Sequence, residues 1–296
     1  MNVKNRTAVT TRFAPSPTGF LHLGHAYAAM IAHDCARQSD GQFLVRIEDI
    51  DAARCRAEFS AAILEDLAWL GLHWDLPVRR QSDHLADYHE AVARLMKLGV
   101  LYPCFCSRRE IAEELARMPS APHGPEGPHY PGTCKELAED FRRQRIAAGE
   151  PYSLRLSISD AAARLPSDPP LTFVNLQGDR TPAAETITVS PELFGDVVIA
   201  RKDVGVSYHL AVTVDDALQN VSLVTRGEDL LPATHVQRLI QTLRGLPEPR
   251  YLHHRLILHE SGRRLAKRDQ DATLRALRAR GETPDTIRSR FGLTNP

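Results

Sequence analysis

Short apolar runs alternate with helix-spaced patterns through the first third of the chain. Thr11 to Ala14 and Phe43 to Ile47 read as strands, and Leu23 to Arg37 and Ala57 to Leu70 carry the apolar spacing of helices. Strand and helix in alternation predict a parallel sheet with helices on its faces. A second block, from Val197 through Leu258, has the same style. There VVIAR, YHLAVTVDDAL and VSLVTRGEDLL lead into a helix from Ala233 to Leu243 and then a strand near Leu256. Residues 102–195, between the blocks, differ. They hold three cysteines, a loop from Pro119 to Gly132 with five prolines and three glycines, a charged helix from Lys135 to Ala148, and strands YSLRLSI and LTFVNL of antiparallel character. The pattern predicts an α/β fold in which one parallel-sheet domain, residues 1–101 and 196–260, is split by an insertion at 102–195. A short helical, basic segment follows at 261–296.

Composition narrows the class and leaves the function open. Of 296 residues, 43% are hydrophobic and 25% charged, the balance of a folded globular protein, which excludes global disorder. Thirty-seven basic and 37 acidic residues cancel. Their distribution is uneven: from Arg255 onward ten Lys/Arg face five Asp/Glu, which suits either a surface that meets phosphates or a solvated helix face. Met1 to Thr11 lack the apolar core of a leader, and no run is long enough to span a membrane, so a cytoplasmic monomer without membrane contact is expected. Cys104, Cys106 and Cys134 cluster as metal ligands do, whereas Cys35 and Cys55 are expected as small buried apolar residues.

The densest chemistry lies in R-F-A-P-S-P-T-G-F-L-H-L-G-H, Arg12 to His25, between a strand and a helix. Pro15 and Pro17 stiffen the turn, and Gly19 and Gly24 let backbone approach a ligand. His22 and His25 stand where the helix begins. A helix N-terminus offers unpaired N–H groups and partial positive charge to a phosphate, and two imidazoles add donors that can follow charge developing at phosphorus.

The whole string resembles the HIGH signature of class I aminoacyl-tRNA synthetases in its glutamyl and glutaminyl branch. The likeness continues through R-I-E-D (Arg46 to Asp49), Tyr208 to Asp216, R-G-E-D-L-L (Arg226 to Leu231) and G-R-R-L-A-K-R (Gly262 to Arg268). The resemblance implies a Rossmann-type catalytic domain that binds ATP with magnesium through His22, Gly24, His25 and Lys267, with His22, His25 and Lys267 catalytic. It also implies a glutamate pocket of Arg12, Phe13, Ala14, Pro15, Ser16, Glu48, Tyr208 and Arg226. Glu48 would take the α-amino group and the arginines the carboxylates, a division that charge complementarity also favours. The segment like the family's KMSKS loop, Arg264 to Arg268, departs from the pattern: arginine replaces the first lysine and alanine the serine, while Lys267 is kept.

Three thiolates and one further ligand match a tetrahedral structural zinc ion. Chemistry alone nominates His129 as the fourth ligand. The C-x-C and Y-x-x-x-C spacing is similar to that of the truncated glutamyl-queuosine branch of the family, and this resemblance selects Cys104, Cys106, Tyr130 and Cys134. Lys267 stands near the end of the sequence, so no anticodon-binding domain is expected, which also fits that branch. The resemblance implies ATP, L-glutamate and tRNA-Asp carrying queuosine as partners and residues 102–195 as a zinc-containing, tRNA-contacting insertion; the alternatives are a synthetase that charges a tRNA 3′ end and a non-catalytic tRNA-binding paralogue.

Overall fold

The computed structural model describes residues 8–117, 123–125, 127–166, 168–177, 183–201, 205–258 and 273–293. Strand β1 (Thr10–Phe13) runs through the Arg12–His25 motif into α1 (Leu23–Arg37), and β2 (Gln42–Ile47) returns parallel to β1 with Arg12 opposite Leu44. Helix α2 (Ala57–Trp69) leads to the short β3 (Arg79–Arg80), parallel to β2, and to α3 (Leu85–Lys97). Next come β4 (Leu101–Cys104), α4 (Arg108–Arg117), the ribbon of β5 (His123–Gly124) and β6 (Gly127–Pro128), α5 (Glu139–Ala147), β7 (Ser153–Leu156) and α6 (Ile158–Ala162). The remainder is β8 (Thr172–Gln177), β9 (Ala183–Thr188), β10 (Val197–Arg201), β11 (Gly205–Val206), α7 (Tyr208–Leu218), β12 (Leu223–Gly227), α8 (Leu231–Arg244), β13 (Arg250–His254), α9 (Leu274–Ala279) and α10 (Pro284–Arg290).

Two parallel ribbons meet edge to edge. One is β1-β2-β3; the other is β12-β13-β8, with β9 antiparallel on its outer edge. Ser222 joins them: its amide N–H donates to the Thr10 carbonyl at 3.0 Å, and its hydroxyl accepts from the Thr10 N–H at 3.0 Å. A separate antiparallel sheet, β11-β10-β7-β4, carries the cysteine region. Pairing therefore crosses the expected domain boundaries in two places. VVIAR, grouped by pattern with the second parallel block, lies antiparallel to β7, and LTFVNL, grouped with the insertion, lies parallel to β13. The strand expected near Leu256 is Arg250–His254, and the charged helix begins at Glu139 instead of Lys135.

Helix α1 is buried almost all round. Its alanines allow a close approach to the sheet, Thr11 Oγ1 donates to the Ala32 carbonyl at 2.8 Å, and Met30 and Ile31 are sealed from solvent. Each such side chain contributes about 1.5–3 kcal/mol by burial. After α1 the chain turns through Gly41, where any Cβ would fall 2.0 Å from the Val9 carbonyl oxygen, so only glycine fits. Leu274, Leu277, Ile287 and Phe291 of the C-terminal helices close the same core, with Tyr27 edge-on to Phe291 at 5.1 Å between ring centres. Cys35 and Cys55 are only partly buried; the Cys55 Sγ points to the Glu48 carbonyl at 3.9 Å. Among the described residues, no helix is long and apolar enough to cross a membrane.

Three of the C-terminal arginines form ion pairs. Arg288 pairs with buried Asp34 of α1, Arg278 Nη1 with Glu65 of α2 at 2.8 Å, and Arg290 with Glu282. Arg288 and Arg278 thus compensate acidic positions elsewhere in the chain, whereas Arg290 pairs within the C-terminal segment.

At the centre, adjacent Asp215 and Asp216 of α7 are buried and collect three arginines from β1, β2 and β3. Asp216 accepts from Arg12 Nε at 3.0 Å and Arg46 Nη2 at 2.8 Å; Asp215 accepts from Arg79 Nε at 2.8 Å, Gln81 Nε2 at 2.8 Å and the Tyr88 hydroxyl at 2.9 Å. Burial would raise the Asp216 pKa, but Arg12 and Arg46 outweigh it and hold the group below the ordinary carboxylate range. Removing one partner of such a buried set leaves an uncompensated charge. Asp215→Asn is therefore expected to lower unfolding free energy by about 3–5 kcal/mol, whereas Arg278→Ala, in a half-exposed pair, should lower it by less than about 1 kcal/mol. Urea titrations of the two variants check the contrast, and similar losses would count against it.

Candidate functional site

The Arg12–His25 motif forms a loop pinned from both sides. The Glu48 amide donates to the Pro15 carbonyl at 3.1 Å and the Arg56 amide to the Pro17 carbonyl at 3.1 Å. At its end His22 caps α1: the Gly24 amide donates to His22 Nδ1 at 3.1 Å, and the His22 amide donates to His25 Nδ1 at 3.2 Å. Because both Nδ1 atoms accept, each neutral ring carries its proton on Nε2. The rings lie 3.8 Å apart, 31° from parallel. A Cβ on Gly24 would come within 3.1 Å of the His22 ring, so glycine there lets the capping imidazole lie against the helix. The arrangement sets two imidazole N–H groups at the positive end of a helix whose Gly24, His25 and Ala26 amides are bound to His22, and imidazole donors beside that end suit an anionic phosphate.

Beside this loop lies a cavity of about 540 Å³ whose wall includes Ser16, Glu48, Gln81, Arg155, Arg201 and Tyr208. The structure thus brings together three of the glutamate-pocket residues the sequence nominated, from β1–α1, β2 and the start of α7. Glu48 is the unusual member. Its side chain is 9% exposed, its nearest cation is Arg46 at 3.6 Å, and Arg46 already donates to Asp216. Burial pushes the Glu48 carboxyl up to about 7, against the pull of Arg46 and Arg12. A carboxylate so placed has capacity left for a ligand cation.

Arg12 and Arg226 stand elsewhere in the wall's support. Arg12 gives its N–H groups to Asp216 and, through Nη1, to the Thr225 carbonyl at 3.1 Å. Arg226 donates to His253 Nε2 at 3.1 Å, Gln237 Oε1 at 2.8 Å and Thr234 Oγ1 at 2.6 Å. Burial and the charge of Arg226 drive His253 down to about 2, so it stays neutral: Nε2 accepts from Arg226 and Nδ1 donates to Asn175 Oδ1 at 2.7 Å. Phe13, Ala14 and Pro15 supply backbone to the loop; Phe13 is buried in the core. Lys267, with the Gly262–Arg268 segment, lies outside the described residues.

The cysteine region is compact. Cys104, Cys106 and Cys134 hold their sulfurs within 4.8 Å of one another. The Tyr130 hydroxyl lies 3.4 Å from Cys106 Sγ and accepts the Cys134 amide at 2.9 Å, while the Phe105 amide donates to Cys134 Sγ at 3.3 Å. His129 instead meets the Leu193 carbonyl through Nε2 at 2.9 Å. Three thiols and a phenol oxygen are therefore the groups at hand for a four-coordinate metal, and the residues fit zinc. Tyr130 also lines the 540 Å³ cavity, and Arg155 lies over its ring at 3.8 Å.

Sequence reasoning left Arg46, Asp215, Asp216 and Gln81 without roles, although the first three stand inside motifs it quoted. The available signal was polarity in the wrong place: Arg46 interrupts the apolar strand FLVRI, and two aspartates interrupt VTVDDAL. Charged residues at buried positions require partners.

Residues 8–294 match the family described as tRNA synthetases class I (E and Q), catalytic domain. A Rhodobacter capsulatus protein named glutamyl-Q tRNA(Asp) synthetase is 47% identical over 289 residues, covering 96% of this chain and 99% of that one. A Symbiobacterium thermophilum protein of the same name is 42% identical, covering 93% of this chain and 83% of its own. The Aquifex aeolicus glutamate–tRNA ligase is 37% identical, over 94% of this chain and 55% of the ligase. A crystal structure of glutamate–tRNA synthetase from Elizabethkingia anophelis superimposes with a TM-score of 0.71 at 27% identity, covering 89% of this chain and 53% of that one.

The cap geometry separates two roles of His22. His22→Ala should lower unfolding free energy by about 1 kcal/mol, and His22→Asn, which keeps a capping acceptor, should recover most of that loss. Denaturant titration decides it, and equal stabilities of the two variants would mean the ring does not cap.

Proposed function

The chain belongs to the class I tRNA synthetase family of glutamate and glutamine, and from that membership we propose that it activates L-glutamate with ATP and transfers the glutamyl group to queuosine in the anticodon of tRNA-Asp. The observation that carries the amino-acid half is Glu48, a buried and incompletely compensated carboxylate facing a cavity with Ser16 and Tyr208. The near full-length relative named for glutamyl-Q and the C-x-C, Y-x-x-x-C cluster support the choice of acceptor. Such substrates fit a cytoplasmic setting.

In the first step a glutamate α-carboxylate oxygen attacks the α-phosphorus of ATP. A P–O bond forms, the bond to the β-phosphate bridge breaks, and pyrophosphate leaves with its electron pair. The carboxylate is already ionised at neutral pH, so no base is needed. The positive end of α1 and the Nε2–H groups of His22 and His25 stabilise the growing charge; Lys267 is assigned to the β- and γ-phosphates from its motif. Magnesium carried with ATP would neutralise phosphate charge. Glu48 holds the substrate ammonium, and Arg12 and Arg226 are assigned to its carboxylates through the N–H groups their protein partners leave. In the second step a hydroxyl of the queuosine cyclopentenediol attacks the acyl carbon, the mixed-anhydride C–O bond breaks, AMP departs, and the hydroxyl proton goes to solvent. Cys104, Cys106, Tyr130 and Cys134 would hold one structural zinc ion.

Labelled pyrophosphate should exchange into ATP with glutamate and with none of the other standard amino acids, and Lys267→Ala should reduce exchange far more than glutamate binding. Glutamate should then remain on tRNA-Asp after removal of the RNA's 3′-terminal adenosine; loss of label with that nucleotide would assign ordinary charging instead.

Ammonium binding requires ionised Glu48. The glutamate dissociation constant should therefore rise about tenfold per pH unit below about pH 7, and Glu48→Gln should flatten the profile. Because the folded pKa is raised, the stability conferred by the neutral carboxyl is complete below the ordinary carboxylate range and declines as pH rises through about 7. A titration of binding unaltered by Glu48→Gln would move the ammonium site elsewhere.

Metal analysis should find about one zinc per chain, reduced severalfold in Cys134→Ser and unaffected by His129→Ala. Loss of zinc in both Cys134→Ser and His129→Ala would put the histidine in the place of Tyr130.

A further inference from the structure

The antiparallel sheet carries a second depression, about 400 Å³, whose lining includes Cys104, Arg108, Tyr152, Ser153, Arg155 and Arg201. Register explains the gathering. Arg201 of β10 lies opposite Ser153 of β7, which lies opposite Cys104 of β4, and Arg155 follows Ser153 by two positions on the same face. Arg108 opens α4 directly after the Cys104–Cys106 turn. Three guanidiniums therefore edge one groove, and no carboxylate lines it. Among the described residues, none of the three forms an ion pair with an acidic side chain.

Like charges converging on a shared groove repel, and an arginine on a flexible stem ordinarily swings away. Arg155 is held: Nη1 donates to the Asp196 carbonyl at 2.8 Å and its guanidinium lies on the Tyr130 ring at 3.8 Å. A fixed cationic groove of this kind is completed by anions. Its course indicates which ones. Arg155 and Arg201 also line the cavity that contains Glu48, so the groove runs into the proposed glutamate site. A free phosphate needs no such continuity, whereas a chain that places a phosphate every few ångströms and delivers one nucleoside to the cavity does. Tyr152, half-buried and packed against Phe105 at 5.7 Å, adds an aromatic ring of the kind on which bases stack.

We infer that this groove binds the phosphodiester backbone of the acceptor RNA, with Arg108, Arg155 and Arg201 contacting phosphates beside the nucleoside that enters the cavity. The inference rests on the reading of the chain as a ligase with an RNA acceptor. It places the RNA contact on the cysteine-bearing sheet, away from the paired Arg278 and Arg288.

The test is salt-dependent binding of queuosine-containing tRNA-Asp and of tRNA-Glu to the full chain. Arg108→Glu and Arg201→Glu, both at exposed positions, should each weaken whichever RNA binds by about tenfold or more near 0.1 M salt, and should make the slope of log affinity against log salt shallower by about 0.7 or more. Arg109→Glu, which alters an exposed arginine already paired with Glu113, is the charge-matched control and should change affinity by less than about threefold. Glutamate-dependent pyrophosphate exchange by Arg108→Glu should match wild type. An unchanged RNA slope in both groove variants, or an equal effect of the control, would overturn the assignment and leave the ligase reading intact. A parallel loss of exchange in Arg108→Glu would reassign the groove to nucleotide phosphates. Failure of the wild-type chain to bind either RNA would remove both readings.

Discussion

The Asp215–Asp216 pair organises the centre of this protein. Two neighbouring carboxylates on α7 neutralise arginines arriving from three parallel strands, so the mutual placement of β1, β2 and β3 and the helix behind them is fixed by charge as well as by packing. Burying that many ions is unfavourable unless each finds its partners, and here nearly all do. Glu48 is the member left short. Its partial compensation follows directly from Asp216 drawing Arg12 and Arg46 toward itself, and this is what turns a structural ion cluster into a candidate ammonium site.

Parts of the fold were legible for physical reasons. Helix α1 was bounded correctly at both ends because capping chemistry, alanine content and a terminal arginine agree over Leu23–Arg37. Strand partners were not legible. VVIAR and LTFVNL have the same apolar signature whether their neighbours run parallel or antiparallel, and the neighbours are distant in sequence. RYLHH was misplaced because its histidines lower the local hydrophobicity; in the fold His253 is buried and satisfied by Arg226 and Asn175.

The site divides in the same way. Ser16, Glu48 and Tyr208 were recognisable from their motifs and do share one cavity; Tyr130 was selected over His129 by resemblance to the glutamyl-queuosine branch, and its oxygen lies beside Cys106. What occupies a guanidinium cannot be read from a string of letters. Arg12 and Arg226 are ordinary motif arginines in sequence; only their surroundings reveal that most of their donor capacity supports the protein itself. The charge excess after Arg255 was similarly ambiguous, since a string of letters does not show that Arg288 and Arg278 stand opposite Asp34 and Glu65.

That last arrangement bears on how a large polyanion would approach. A linear charge map suggests a positive pole at one end of the chain. In the fold Arg288 stands beside Asp34 and Arg278 beside Glu65, so at a distance each of these pairs acts as a closely spaced dipole, whose field decays faster than that of a net charge. Those two pairs contribute little long-range attraction, and a diffusing partner is oriented by cationic surface that has no acidic neighbour to quench it.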